Sequence, residues 1–330
     1  MTLPQLGPVA LDDLQEPVLE RLGRVDFEMR RLIEEDFPLI SEVNQHLLRM
    51  RGKMFRPTLV LLADEATGAP SGHGETLAAV IELIHLATLV HDDAVDHSTL
   101  RRGMPTINAQ FSHQISVIMG DFLYSRAVVE LVRLGDLDAL RILARVTNEM
   151  TIGEMRQLLA HDPLAFTEEQ YDLLIRAKTA SLISGACEVG GLGARVEIRA
   201  ALAAFGERLG MAFQIIDDLL DYTADARDTG KPSGLDLREH KVTLPLIHAL
   251  PRFSAAERKL VTALMRNPEP TEAEIAGVVS AVAARGGLDS ARDRAQRLIS
   301  EADDALQQLP PSDARETLRA SLGYVLDRRR

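Results

Sequence analysis

Two copies of one acidic pattern constrain this chain more than any other feature. Each copy is an Asp-Asp-x-x-Asp pattern that ends a long apolar run: Asp92, Asp93 and Asp96 in the first, and Asp217, Asp218 and Asp221 in the second. Residues i and i+4 lie on one face of an α-helix, one turn apart, so each copy gathers carboxylates at a helix end. Close carboxylates repel unless a cation lies between them. The repeat therefore predicts two helices whose acidic ends face one trough.

Carboxylate oxygens are hard ligands that suit Mg²⁺ or Mn²⁺ better than zinc. We therefore predict all six aspartates as ligands of Mg²⁺, with Mn²⁺ as an alternative. Mg²⁺ held by few carboxylates completes its shell with water and phosphate oxygens, which predicts a diphosphate ligand. The alternative for one copy alone is a solvated helix end, although acidic residues there oppose the helix dipole. Two identical copies favour the metal site.

Composition limits the fold and the partners. The chain has 330 residues with 46% hydrophobic content and no Trp, so its core is expected to be aliphatic, in one all-α domain over residues 1–330. A net charge of −12 argues against nucleic acid as a partner. The single Cys187 cannot form an internal disulfide and fits a cytoplasmic location. We find no signal peptide and no apolar run approaching the ~20 residues that span a bilayer.

Apolar periodicity predicts a helix from near Pro17, a second to Met50 and another opening at Pro57. Further helices are predicted over residues 76–96, 115–134, 137–159, 167–190 and 196–222. No run of residues alternates convincingly enough to predict a strand. The polar stretch from Thr223 to Lys241 is predicted to be a loop, and a loop beside an acidic metal site is a candidate lid.

The motifs together resemble the trans-type polyprenyl (isoprenyl) diphosphate synthases. Besides the two acidic copies, the matching residues are Gly52-Lys53-x-x-Arg56-Pro57, Glu82-Leu83-Ile84-His85, Arg101-Arg102-Gly103 and Phe213-Gln214. The resemblance covers about residues 50 to 250, with the motifs in the family's order. It implies an all-α isoprenoid synthase type bundle around a central cavity, usually a homodimer. It also implies a transferase that condenses isopentenyl diphosphate with an allylic diphosphate.

The resemblance assigns roles to individual residues. Catalysis falls to Asp92, Asp96, Arg101, Lys178, Asp217 and Lys231. Substrate binding falls to Lys53, Arg56, His85, Arg101, Arg102, Lys178, Thr179, Gln214, Lys231 and Lys241. Considered alone, Lys53 and Arg56 could be a surface pair and His85 a core residue. The chain departs from the family at Arg51 and His240, where Gly is usual, and at Phe111-Ser112-His113.

Product length is predicted from the residues before the first acidic copy. Large residues four and five positions before it block the product tunnel in the family, whereas here they are Thr88 and Ala87. We therefore expect a linear product of the hexa- to octaprenyl class, such as a quinone side chain, with transient membrane contact during release. The alternatives are a short-chain farnesyl or geranylgeranyl diphosphate synthase, a terpene cyclase, or a non-catalytic subunit of a heteromeric synthase.

Overall fold

The protein is represented by a computed structural model, which describes residues 9–50, 52–158, 163–223 and 234–328. Its first helices are α1 Leu11–Gln15, α2 Leu19–Ile33, α3 Pro38–Arg49, α4 Phe55–Ala66, α5 Gly74–Val95, α6 Ile107–Gln110, α7 His113–Leu134, α8 Leu137–Leu158 and α9 Glu168–Ile175. They continue with α10 Ser181–Gly190, α11 Val196–Thr223, α12 Leu235–Arg238, α13 Leu244–Ala249, α14 Ala255–Arg266, α15 Glu272–Ala284, α16 Gly287–Leu306 and α17 Asp313–Leu326. The prediction of an all-α fold is confirmed.

The core lies between α5, α10 and α11, which pack against α7, α4 and α16 respectively. On α5 the side chains of Val80, Ile81 and Leu83 are fully buried, so this helix is apolar on most sides. A smaller apolar cluster, which includes Tyr222 and Leu246, lies between the end of α11 and helices α12 to α15. The acidic copies therefore lie at the ends of two helices that are packed into the core.

Helix α5 corrects one expectation. It is 22 residues long and apolar enough to cross a membrane by length and composition, although the sequence was expected to hold no such run. However, 67% of its most apolar window is buried inside the protein. Because its neighbours α4, α7 and α10 cover it, we interpret α5 as a core helix.

The predicted helix over 167–190 is not continuous. A π-helical segment, Arg176–Ala180, separates α9 from α10 and carries Lys178 and Thr179. Such segments are rare and concentrate at functional sites. At the N-terminus, the helix expected near Pro17 is instead α1, the 3₁₀ turn Glu16–Val18 and then α2.

A short hairpin is the second departure from the expected helices. Strand β1, Leu100–Arg101, pairs antiparallel with β2, Met104–Pro105. The turn between them has φ of +53° at Arg102 and +76° at Gly103. Two successive left-handed residues define the turn that closes a two-residue hairpin, and two-residue strands are too short for alternation to be detected.

The predicted lid loop lies partly outside the described residues. Helix α11 continues to Thr223, α12 occupies part of the predicted loop, and Lys241 follows it. Residues 224–233, which include Lys231, are outside the described ranges, as is Arg51. The roles assigned to Lys231 and to the lid remain predictions, as does the single domain over 1–330.

Candidate active site

The first acidic copy lies at the C-terminal end of α5, where its three carboxylates have different surroundings. Asp93 is buried and accepts two hydrogen bonds from Arg101, at 2.8 Å from Nε and 2.9 Å from Nη2. The hairpin supplies this arginine from β1. Among the described residues, the carboxylates of Asp92 and Asp96 have no hydrogen bond or ion pair. These two side chains are therefore available to a ligand.

Asp92 lies in an acidic and largely buried environment. Burial, then repulsion by Glu154, raises its pKa to about 6, and Lys178 opposes the shift. The Lys178 ammonium lies 2.6 Å from a Glu154 carboxylate oxygen and 2.9 Å from the Gln157 amide oxygen. Thus Lys178, predicted to bind the allylic diphosphate, is close to Asp92. Sequence reasoning missed Glu154 and Gln157, since only their i, i+3 spacing on α8 signals a shared face.

The second acidic copy lies at the end of α11 and is bonded into the fold. Buried Asp218 accepts hydrogen bonds from the Tyr171 hydroxyl at 2.6 Å and from the Gln214 amide at 2.8 Å. The Thr179 hydroxyl donates to Gln214 at 2.8 Å. Burial, then repulsion by Asp236, raises the pKa of Asp218 well above its usual value. The predicted residues Thr179, Gln214 and Asp218 therefore form one network, completed by Tyr171, which the sequence did not reveal.

The last aspartate of the second copy organises the short helix α12. The Asp221 carboxylate accepts the backbone N–H groups of Leu235 and Asp236, each at 3.0 Å. Burial, then repulsion by Asp221, raises the pKa of Asp236 to about 7. Asp236 also escaped sequence analysis, because it lies in a polar stretch where acidic residues are common.

Lys241 connects the two acidic ends. Its ammonium is 2.6 Å from a Glu239 carboxylate oxygen and is attracted by both Asp236 and Asp96. Asp96 belongs to the first copy, whereas Asp236 lies against the second. This placement is consistent with the predicted shared trough, because the Lys241 ammonium is attracted by a carboxylate at each acidic end.

A cluster of aromatic side chains connects the second copy to the start of α4. Asp217 lies 3.3 Å from Arg328, whose guanidinium stacks over Phe213 at 4.0 Å from the ring centroid. Phe213 in turn stacks on Phe55, with 5.9 Å between centroids. Phe55 precedes Arg56, so α11 and the basic residues of α4 border the same region.

The basic residues predicted for isopentenyl diphosphate include a partly buried pair, Arg56 and His85. Arg56 Nη1 lies 3.1 Å from His85 Nε2. Burial, then the charge of Arg56, holds the pKa of His85 well below its usual value, so the neutral imidazole accepts this hydrogen bond. Arg56 Nε is buried without a partner among the described residues. A buried donor left without an acceptor is costly, so this cluster fits an anionic ligand.

Arg102 reaches the same cluster from the hairpin turn. Its Nη1 donates to the Met50 carbonyl at 2.7 Å. Its guanidinium also lies against Gly52, where an added Cβ would be 2.8 Å from Nη2. The bare backbone of Gly52 therefore leaves room for the Arg102 guanidinium in this position. Lys53 is exposed, and its carbonyl accepts a hydrogen bond from Gln15 at 2.8 Å.

Divalent cations suit the carboxylates at the end of α5. Within the described ranges, no three His, Cys, Asp or Glu side chains already gather closely enough to hold an ion. Burial, then repulsion by Glu154, raises the pKa of Asp92, and a bound cation would offset both effects on its charged form. Asp92 and Asp96 fit this role without losing other bonds. Asp93, Asp218 and Asp221 stay predicted ligands, although each already accepts hydrogen bonds within the fold.

Comparison with known proteins identifies the class. Residues 37–282 match the polyprenyl synthetase family. Octaprenyl diphosphate synthase from Escherichia coli is 36% identical over 310 residues, covering 93% of this chain and 96% of that protein. All-trans-nonaprenyl-diphosphate synthase (geranyl-diphosphate specific) from Rhodobacter capsulatus is 39% identical over 318 residues, covering 96% and 97%.

A solved structure shows the same fold. A polyprenyl synthase from Caulobacter crescentus, complexed with calcium and isoprenyl diphosphate, is 35% identical with a TM-score of 0.92, covering 99% of this chain and 100% of that one. This chain belongs to the polyprenyl synthetase family. It is a transferase that makes polyprenyl diphosphates, and the predicted family resemblance and prenyl-transfer function are confirmed.

Proposed function

We propose that the chain condenses isopentenyl diphosphate with an allylic diphosphate to a linear product of about octaprenyl length, with Mg²⁺ as the metal and Mn²⁺ as a substitute. One observation carries the proposal: Asp92 and Asp96 end helix α5 close to Lys178, and a basic cluster of the partly buried Arg56 and His85 and the exposed Arg102 lies about the same helix. Two anion-binding regions match two diphosphate substrates. The calcium and isoprenyl diphosphate bound to the Caulobacter crescentus protein support this assignment.

The chain's residues would divide the reaction between them. Mg²⁺ held by Asp92, Asp96 and Asp217 would supply Lewis-acid stabilisation of the departing allylic diphosphate. Lys178 would leave Glu154 for a diphosphate oxygen, because a charge-assisted hydrogen bond forms with either partner. Arg101, held by Asp93, would add positive charge to the same leaving group.

The basic cluster would orient the second substrate. Arg56 and Arg102 would hold isopentenyl diphosphate through guanidinium donors, with Lys53 as a further cation from the exposed edge. The neutral His85 would direct Arg56 by accepting from its Nη1. The isopentenyl double bond would then face the allylic cation left by cleavage of the C–O bond to diphosphate, and after carbon–carbon bond formation the released diphosphate would accept the proton.

Small side chains on α5 support the long product. Ala87 is buried and Thr88 is directed to the His85 carbonyl at 2.8 Å, one turn before the first acidic copy. Neither side chain is large enough to close a tunnel beside α5. The octaprenyl and nonaprenyl synthases to which the chain is similar also support a long product.

Exposed apolar residues on α7 support a homodimer. Ile118, Val129 and Val132 are 63%, 60% and 62% exposed. Burial of such side chains by a second copy would be favourable. Analytical ultracentrifugation tests this directly, and a monomer at micromolar concentration would contradict it. The single buried Cys187 supports a cytoplasmic location.

The test of function is one reaction with purified protein, Mg²⁺, labelled isopentenyl diphosphate and farnesyl diphosphate. We expect a linear product of about octaprenyl length by chromatography, and no product after chelation of the metal. Farnesyl or geranylgeranyl diphosphate would favour the short-chain alternative. A cyclic hydrocarbon would favour a cyclase, and turnover only with a second protein would favour a subunit of a heteromeric enzyme.

A further inference from the structure

His91 lies directly before the first acidic copy and has no part in the proposed mechanism. Its side chain does not point along the acidic end of α5 but crosses to α7. His91 Nε2 lies 3.2 Å from the Val117 carbonyl and 3.4 Å from an Asp121 carboxylate oxygen. Because both neighbours of Nε2 are acceptors, Nε2 carries the hydrogen and donates.

The imidazole occupies a space that a glycine provides. A Cβ added at Gly120 would lie 2.2 Å from His91 Nε2 and 2.4 Å from Cδ2, well inside van der Waals contact. The ring therefore rests on the bare backbone of α7. Any larger residue at 120 must displace the ring, which is attached to the residue before Asp92.

The end of α5 needs such support. Asp92 and Asp93 carry negative charge in its last turn, and no basic residue lies in that turn to offset the helix dipole. A helix end that carries adjacent carboxylates tends to fray unless it is fixed from outside. One residue earlier, the Ser116 hydroxyl of α7 donates to the Val90 carbonyl at 3.1 Å, which is a second tie between the same helices.

We propose that His91 is a positioning residue: by donating to α7 across Gly120, it fixes the last turn of α5 and thereby the direction of the Asp92 and Asp96 carboxylates. This inference rests on the proposed metal-dependent function. The competing explanation is that His91 only fills space between α5 and α7, in which case its hydrogen would be dispensable.

Four variants separate these explanations. His91→Phe keeps a planar ring but removes the donor, whereas His91→Gln keeps a donor. Gly120→Ala leaves the imidazole chemistry intact but removes its space. Ser116→Ala is the matched control, since it removes the other hydrogen bond between the two helices.

The primary measurement is Mn²⁺ binding in the presence of inorganic pyrophosphate, followed by electron paramagnetic resonance. Groups that orient metal ligands change metal affinity about 10- to 100-fold when removed, so we expect His91→Phe and Gly120→Ala to weaken Mn²⁺ binding by about 10-fold. His91→Gln and Ser116→Ala should stay within about 3-fold of the unmodified protein. The KM for isopentenyl diphosphate should not change, because the Arg56–His85–Arg102 cluster does not contact His91.

Wild-type Mn²⁺ binding by a folded His91→Phe protein would overturn the proposal, and so would an equal loss in Ser116→Ala. If Gly120→Ala does not fold, as judged by circular dichroism, the comparison of His91→Phe with His91→Gln tests the proposal. Absence of prenyl transfer by the unmodified protein would contradict the proposed function, not the role of His91. The Mn²⁺ titration would still test His91, so the two failures are distinguishable.

Discussion

The two acidic copies have the same spacing, but the fold treats them differently. At the end of α5, only the middle aspartate is bonded within the protein, to Arg101, while Asp92 and Asp96 are left available. At the end of α11, the middle and last aspartates are both bonded within the protein, and the first lies beside Arg328. A repeated motif therefore does not imply repeated roles. The first copy offers ligands, whereas the second mainly organises α12 and the Gln214 network.

The largest effect is expected at Asp92. Asp92→Asn should reduce kcat by about 100- to 1000-fold, because a carboxylate needed to hold the metal at the leaving group is lost. The thermal midpoint should not fall, since burial and Glu154 already disfavour the charged form of Asp92. Steady-state kinetics and calorimetry measure the two quantities. Near-normal turnover would refute the assignment of Asp92 as a ligand.

Asp93→Asn tests whether the middle aspartate of the first copy has a different role from Asp92. It weakens the pair between buried Asp93 and Arg101, whose side chain is 30% exposed, so we expect a loss of about 1 to 3 kcal/mol in the free energy of unfolding. Activity should also fall, because Arg101 loses its orientation. Urea denaturation provides the measurement. If Asp93→Asn were as stable as Asp92→Asn, the contrast within the first copy would not exist.

Tyr171→Phe tests whether the second copy is held by its network. Removing the hydroxyl leaves buried Asp218 with one fewer donor, at a cost of about 1 to 3 kcal/mol in unfolding free energy. We expect a smaller loss of turnover than for Asp92→Asn. Thr179→Val, which removes the outermost donor of the network, is the matched comparison. A larger kinetic loss for Tyr171→Phe than for Asp92→Asn would reverse the roles we assign to the two copies.

The pH dependence follows from Asp92 and Asp236, whose pKa values are raised to about 6 and about 7. A carboxyl group with a raised folded pKa contributes stability below its unfolded pKa, and that contribution is lost as pH rises through the folded pKa. Metal-free protein should therefore lose stability between about pH 4 and about pH 7. Asp236→Asn should flatten the upper part of this curve.

Added Mg²⁺ and pyrophosphate should have the opposite pH dependence. Mg²⁺ binds ionised aspartates and pyrophosphate would bind through Mg²⁺, so the increase in thermal midpoint should be larger above pH 7 than below pH 6. Differential scanning calorimetry across pH, with and without metal, measures it. An increase in thermal midpoint that does not depend on pH would indicate that the metal does not bind near these carboxylates.

The smallest effect on total rate is expected from Ala87→Phe, which should shorten the product. Ala212 lies five residues before the second copy, as Ala87 does before the first, and both are buried. A tunnel beside α5 predicts that only Ala87→Phe changes product length, and Ala212→Val is the milder control on α11. Thin-layer chromatography of the products decides. An unchanged distribution in a folded Ala87→Phe protein would place the tunnel elsewhere.

The sequence by itself determined the class of fold, the acidic ends of two helices and the family. These follow from short-range rules: the period of apolar residues marks helices, and the i, i+1, i+4 spacing gathers carboxylates on one helix end. The sequence also identified Lys178, which lies close to Asp92 in the structure. It identified Thr179 and Gln214 as well, which form one hydrogen-bond network with Asp218.

Only the tertiary structure decided which aspartates are bonded within the protein and which are available. Tyr171 lies far from Asp218 in sequence, and Glu154 lies far from Asp92, so no local pattern reveals these pairs. The π-helical segment and the hairpin around Arg102 were also missed, because a five-residue segment within a helical pattern and two-residue strands are too short for periodicity to detect. Burial raises the pKa of Asp92 in the first copy and of Asp218 and Asp221 in the second, so different positions of two identical motifs are affected.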